Sequence, residues 1–260
     1  MGNIKATNLK LGKGSFIHPT AVIGGLGGEA QSIEIGNHVY IGERVQILCN
    51  EFKIGDYSKI HHDTNIHGGK PCHIGHNAWI GQFSIIDSIG GVTIGDNCGI
   101  GAHSQLWSHI KYGDTLEGCR FLNSKQLVVG KDVWFVGHCI VSPITANDRS
   151  MAMVGSVVTK DMEYNHIYAG TPAQSVTDKV GYQFMEVPPI EKFNKLNSYL
   201  SSALQKNKNV KIVMTDEEVN FNDDLSYFSI QSRQYKKTGS DDEIAFMKFL
   251  LPEKAKFTPF

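Results

Sequence analysis

No stretch of the 260-residue chain approaches the roughly 18 consecutive apolar residues of a membrane-spanning helix, which excludes membrane insertion as the expected state. No run of basic residues occurs either. Twenty-five Lys and Arg face 26 Asp and Glu, for a formal charge of −1, so nucleic acid and anionic membrane are poor partners. The opening Met1-Gly2-Asn3-Ile4-Lys5 has no signal-peptide character. Five cysteines form no Cys-x-x-Cys pair, and a reduced, cytoplasmic protein is the plain reading. Helical periodicity is also missing over most of the chain. β-branched residues and glycine recurring every six positions make no 3.6-residue stripe.

What stands in its place is a six-residue repeat. Ile35, Ile41, Ile47; Ile54, Ile60, Ile66; Ile74, Ile80, Ile86; and Ile94, Ile100, Leu106 are spaced by six within each trio. The series resumes as Val129, Phe135, Val141, then Asn147, Met153, Thr159. Between trios the steps are seven, eight, eight, twenty-three and six. Three short sides and one corner that accepts insertions describe a triangular coil, and repeats of this kind decide a fold before any other signal does. Two residues earlier, on the same face of each strand, lie Val39, Val45, Ser58, Thr64, Ala78, Ser84, Cys98, Ser104, Val133, Cys139, Met151 and Val157. All but Met151 are no larger than valine, as a narrow prism requires. Gly36, Gly42, Gly55, Gly75, Gly81, Gly95, Gly101 and Gly130 follow the large residues, with Asn or Asp nearby to turn the corners.

This Ile-Gly-x4 pattern resembles the hexapeptide-repeat acyltransferases over about residues 15–178. The resemblance implies a mainly β protein built on a left-handed parallel β-helix, expected over 1–180 with a loop excursion at 107–128. Gly24 to Gly28 invites a phosphate-loop reading, but the Lys-Ser/Thr that such a loop needs is absent, and a corner loop is expected. The family includes sugar acetyltransferases, a zinc carbonic anhydrase and nucleotidyltransferase appendages, so the fold does not settle function.

Two segments carry the functional expectation. Gln105-Leu106-Trp107-Ser108-His109 resembles the strand end that supplies the catalytic histidine in sugar acetyltransferases of the family, and it opens the excursion. A sugar hydroxyl attacks a thioester poorly until a base takes its proton, and imidazole suits that task, so His109 is the expected base. His103 is the next candidate and His67 the third. Asp87, Trp107, Tyr112, Arg120 and His67 are the expected substrate contacts, although Asp87 reads equally as a turn residue. Gly155-Ser156-Val157-Val158-Thr159-Lys160-Asp161, followed by Ile167-Tyr168-Ala169-Gly170-Thr171-Pro172-Ala173, resembles the closing motif of the family's coenzyme A users. The resemblance implies acetyl-CoA as co-substrate and no metal. It assigns Gly155 and Ser156 to the pantetheine arm, Lys160 to the phosphates and Thr171 and Pro172 to the adenine, with Trp134, Gly137 and Ser142 as further contacts. Asn147-Asp148-Arg149-Ser150 departs from the family's Ile-Gly pair.

The resulting expectation is direct acetyl transfer to a sugar hydroxyl or amino group, in a homotrimer with active sites between subunits. Tyr40, Trp79, Phe83 and Trp134 are the outward aromatics that such an assembly would cover. Two alternatives remain. One is a zinc carbonic anhydrase, for which only His62 and His67 have the required pair spacing. The other is a non-catalytic β-helix scaffold. Residues 181–260 read as a small α+β appendage with a helix after Pro188-Pro189, short strands and a last helix before Pro252. Its expected roles are capping the coil and shaping the acceptor site.

Overall fold

A computed structural model describes residues 3–260, which divide into two compact units, one ending at Phe184 and the other spanning Met185–Phe260. The first unit is a left-handed parallel β-helix with three flat faces. Its first face is an eight-stranded sheet from Asn3–Ile4 to Val157–Val158, and its second is seven-stranded, from Ala6–Leu11 to Thr145–Ala146. The third has nine strands and ends with the antiparallel pair Ile167–Gly170 and Ala173–Ser175. The coil therefore begins a turn earlier than the repeat announces. The unit closes at Phe184 because Asn165 exchanges two hydrogen bonds with Phe184, at 2.9 and 3.0 Å, and Arg149 lies over its ring.

Hexad residues fill the prism. Ile47, Ile66, Ile86, Leu106 and Val141 stack up the first face, Ile35 to Val129 up the second and Ile41 to Phe135 up the third, all at most 2% exposed. Burial of each such side chain contributes about 1.5–3 kcal/mol. The second face carries a second inward row, Ile33, Phe52, Cys72, Val92 and Leu127, in which Ile33, Phe52 and Leu127 exceed the size the small-residue register anticipates. At the corners the coils nearly touch. A Cβ on Gly101 would lie 2.0 Å from the Val136 carbonyl oxygen, so only glycine fits there.

The last trio of the repeat lies one residue away from its expected place. Val129 pairs with Ala146, Phe135 with Ala152 and Val141 with Val158, and all three upper partners are buried. Asn147, Met153 and Thr159 are not the inward residues. A one-residue shift exchanges the two faces of a strand, and burying Asn147 would have cost an unsatisfied amide. The small inward residues become Ser150 and Ser156, so the oversized Met151 falls away as an exception. The departure at Asn147-Asp148 preserves the corner. Asp148 Oδ1 accepts from the Lys131 N–H as Asp56 Oδ1 does from Asn37 and Asp96 Oδ1 from His76.

Every length change falls between the first and second faces. The Gly24–Gly28 loop lies there, closed by paired backbone bonds between Gly25 and Gly28. So does the excursion, whose Ile110–Lys111 and Leu122–Asn123 form an antiparallel hairpin. Asp114 turns it by accepting from the Leu116 and Glu117 N–H groups.

The second unit pairs Val210–Val213 with Ser226–Ser229 in parallel, then adds Gln234–Tyr235 and Thr258–Pro259. Helices Pro189–Ala203 and Asp241–Leu250 accompany this sheet. Phe228 stacks on Tyr235 and meets Phe246 and Phe257 edge-on. Ser240 caps the second helix, and buried Glu243 accepts from Ser226, Thr238 and Gly239.

Candidate active site

The outward row of the first face, one residue after each inward side chain, climbs through His67, Asp87, Trp107 and Ser142. His67 pairs directly with Asp87 across the ladder. Leu106 pairs with Ile86 and Val141, which sets Trp107 and Ser142 on the next two rungs. This edge of the prism is the one that tolerates insertions, so the chain leaves it at Ser108 and His109 without disturbing the core.

Asp87 is wholly buried. Its Oδ2 accepts from the Ser108 N–H at 3.0 Å, the Ser108 hydroxyl at 2.8 Å and His109 Nδ1 at 2.8 Å. Ser108 Oγ in turn accepts from the Gly90 N–H at 2.8 Å. Gly90 is required sterically, because a Cβ would stand 2.1 Å from the Ser108 carbonyl oxygen. A buried carboxylate is tolerated only with such partners. With Asp87 accepting at Nδ1, the His109 ring carries its proton there, and Nε2 is left as the basic nitrogen. The His109 side chain is 20% exposed, and the Trp107 ring meets it edge-on at 6.3 Å.

The expected site residues separate into groups. Asp87, Trp107, His67 and His109 come together. Asp87 was expected against substrate, but its side chain has no exposed surface and instead orients the imidazole. Tyr112 and Arg120 sit out on the hairpin with exposed side chains, and no hydrogen bond among the described residues links them to Asp87 or His109. His103 occupies the other edge of the first face, stacked between Phe83 at 5.0 Å and His138 at 4.8 Å.

Ser142 and exposed Lys160 lie on the His109 edge, above it. Gly137 and Gly155 turn the opposite edge in the left-handed region, joined by a 2.9 Å bond from the Gly155 N–H to the Gly137 carbonyl. Trp134 stands on the third face, 45% exposed, and Thr171-Pro172 form the exposed tip of the last antiparallel pair. Ser156 corrects the expectation for it, because its side chain is buried inside the prism and presents nothing to a cofactor. Its register, one residue from the expected one, turns it inward.

Sequence reasoning missed Ser108. Its signal is a Ser-His pair at the insertion corner, one coil above an aspartate. The zinc pattern also fails on geometry. His62 turns to Asp63 at 2.9 Å and His67 to Asn65 at 2.9 Å, so the pair does not converge. Asp63 is held well below the usual carboxylate range, chiefly by its hydrogen bond to Arg44. Among the described residues no group of three or more His, Cys, Asp or Glu is disposed to hold a metal ion.

Fold and repeat define the class: a hexapeptide-repeat left-handed β-helix whose insertion edge holds a buried Asp paired with a partly exposed His. The chain is similar to a galactoside O-acetyltransferase of Escherichia coli K12, at 31% identity over 114 residues. That match covers 42% of this chain, and the chain spans about half, 55%, of the curated relative's length. Among solved structures it is similar to the N-acyltransferase AntD of Bacillus cereus, in complex with dTDP and 3-hydroxybutyryl-CoA. There the identity is 16%, with 75% of this chain and 91% of that one covered at a TM-score of 0.47. It is also similar to a hexapeptide-repeat acetyltransferase of Vibrio cholerae in complex with acetyl-CoA. That match has 19% identity and a TM-score of 0.38, over 63% of this chain and 70% of that one. No family model matches the sequence.

Proposed function

We propose that this protein is a coenzyme-A-dependent acetyltransferase that acylates a sugar hydroxyl or amino group by direct transfer. The observation that carries the reading is the 2.8 Å bond between buried Asp87 and His109 Nδ1, which leaves Nε2 as a base at the insertion edge. In this reading Nε2 takes the proton of the acceptor hydroxyl as its oxygen attacks the thioester carbonyl. The tetrahedral oxyanion collapses, the carbon–sulfur bond breaks and the imidazolium returns the proton to the departing thiolate. Asp87 and Ser108 hold the ring through both transfers. The similarity to a galactoside O-acetyltransferase supports the acceptor class.

The cofactor would run up the same edge. Trp107, Ser142 and Thr159 stand on successive rungs of about 4.8 Å, so Lys160 lies roughly 10 Å above the rung that carries His109. A phosphopantetheine arm extended over that distance places phosphate near the ammonium and the thioester near His109. Gly137 and Gly155 would line the other edge of the same face.

The test is thiol release from acetyl-CoA against a panel of sugars, amino sugars and nucleotide sugars. At least one should accelerate release over the acceptor-free rate and return a mass increase of one acetyl group. A panel without such an acceptor, together with no acetyl-CoA binding by calorimetry, would favour the scaffold.

Assembly follows from the surface. Tyr40 and Trp79 are each 36% exposed, Phe83 47% and Trp134 45%, an apolar set that a second and third copy of the chain would cover. We expect a homotrimer with the active sites between subunits. Analytical ultracentrifugation should return three times the mass of the chain, and a stable monomer at micromolar concentration would remove the assembly.

A further inference from the structure

Asp87 is satisfied unequally. Its Oδ2 takes three short contacts, two from Ser108 and one from His109. Among the described residues its Oδ1 has only the Ile89 N–H at 3.4 Å and His67 Nε2 at 3.8 Å. For a carboxylate with no exposed surface, a thinly bonded oxygen is expensive. The fold places one side chain to answer it. His67 is the register partner of Asp87 on the strand below, so the two side chains leave the sheet side by side. Asn65 Oδ1 lies 2.9 Å from His67 Nδ1, fixing the ring so that Nε2 faces the carboxylate. The separation of 3.8 Å leaves no room for a bridging water.

We infer that His67 is a positioning residue, a second imidazole that donates from Nδ1 to Asn65 Oδ1 and, as the imidazolium, closes its Nε2–H onto Asp87 Oδ1, and so holds the carboxylate in the rotamer that orients His109. Two histidines then clamp one buried carboxylate, one on each oxygen, and only His109 meets the acceptor. A small inward turn of the His67 ring about its Asn65 contact completes the bond. Excluding water from the edge when the acceptor binds would strengthen it. The inference rests on His109 being the base, and it assigns His67 to the carboxylate instead of to the sugar.

The experiment compares full-length His67→Ala, His67→Gln and His109→Ala. Histidine-detected nitrogen–proton NMR reads the low-field Nδ1–H of His109, assigned by its loss in His109→Ala. Steady-state thiol release from acetyl-CoA with methyl β-D-galactoside, or with the acceptor returned by the sugar panel, reads the chemistry. In His67→Ala the Nδ1–H signal should shift and exchange faster with water, and kcat should fall about tenfold with the KM for acetyl-CoA unchanged. His67→Gln, which can place an amide N–H at the same position, should restore both. An unmoved His109 signal in His67→Ala overturns the inference. So does a rise in acceptor KM at constant kcat, which would make His67 a sugar contact. Full activity of His109→Ala would instead remove the general-base reading, while the NMR arm would still report whether His67 holds Asp87.

Discussion

His109→Ala lowers kcat by about a hundred to ten-thousand-fold, the range general-base help contributes, with acetyl-CoA affinity nearly unchanged. The cofactor residues proposed here lie on higher rungs and on the opposite edge, so the binding term has no reason to move. The fold survives, because the side chain sits outside the inward ladders. His103→Ala is the matched control. Its ring is stacked on the other edge of the same face, and its removal costs little turnover. An amine acceptor changes the pattern in a defined way. Its free base attacks unaided, so the His109→Ala deficit shrinks and fades as pH rises and unprotonated amine becomes plentiful. The measurement is steady-state kcat on the identified acceptor across pH, with circular dichroism to verify folding. Full activity of His109→Ala at neutral pH would refute the base assignment.

Asp87→Asn keeps the size of the side chain and inverts its chemistry. An amide nitrogen turned toward His109 Nδ1 donates where the carboxylate accepts, which drives the ring proton to Nε2 and occupies the nitrogen that must act as base. An amide oxygen turned there instead leaves the Oδ1 side with two donors facing it and no charge to answer the Ser108 N–H. Either way kcat falls, by at least about a hundredfold, since both the tautomer and the developing imidazolium lose their support. Acceptor KM changes less, because Asp87 has no surface to offer a sugar. The distinguishing result is the ratio of the two effects. A variant that raised acceptor KM without lowering kcat would return Asp87 to the role of substrate contact.

The two variants probe residues that differed in legibility. His109 stood out as a candidate because Gln105-Leu106-Trp107-Ser108-His109 resembles the strand end of the family's sugar acetyltransferases and opens a twenty-three-residue step at the tolerant corner. Asp87 was legible as a neighbour but not as a partner. Residues 22 apart meet only once the coil has closed and its rung register is fixed. Ser108 was invisible for the same reason, since the two bonds of its hydroxyl reach to Asp87 and Gly90. The last coil was misplaced by one residue because Ala146, Asn147 and Asp148 carry no large hydrophobe to mark the inward position. Counting by six could not detect a five-residue step.

The coil is legible from consecutive residues alone. Spacing of six, a large and a small residue on each side, and glycine or asparagine at the corners admit few arrangements that bury so many isoleucines. The corner that absorbs insertions followed from step lengths alone. Tertiary structure decided everything that depends on neighbours between coils. It shows which oxygen of Asp87 meets which histidine, that Ser156 faces inward, and that His103 and His109 occupy different edges. The physical reason is one of range. Periodicity is a property of consecutive residues and survives in the sequence. A site made across rungs depends on contacts between residues about twenty positions apart, and their geometry exists only after the backbone ladders have set the register.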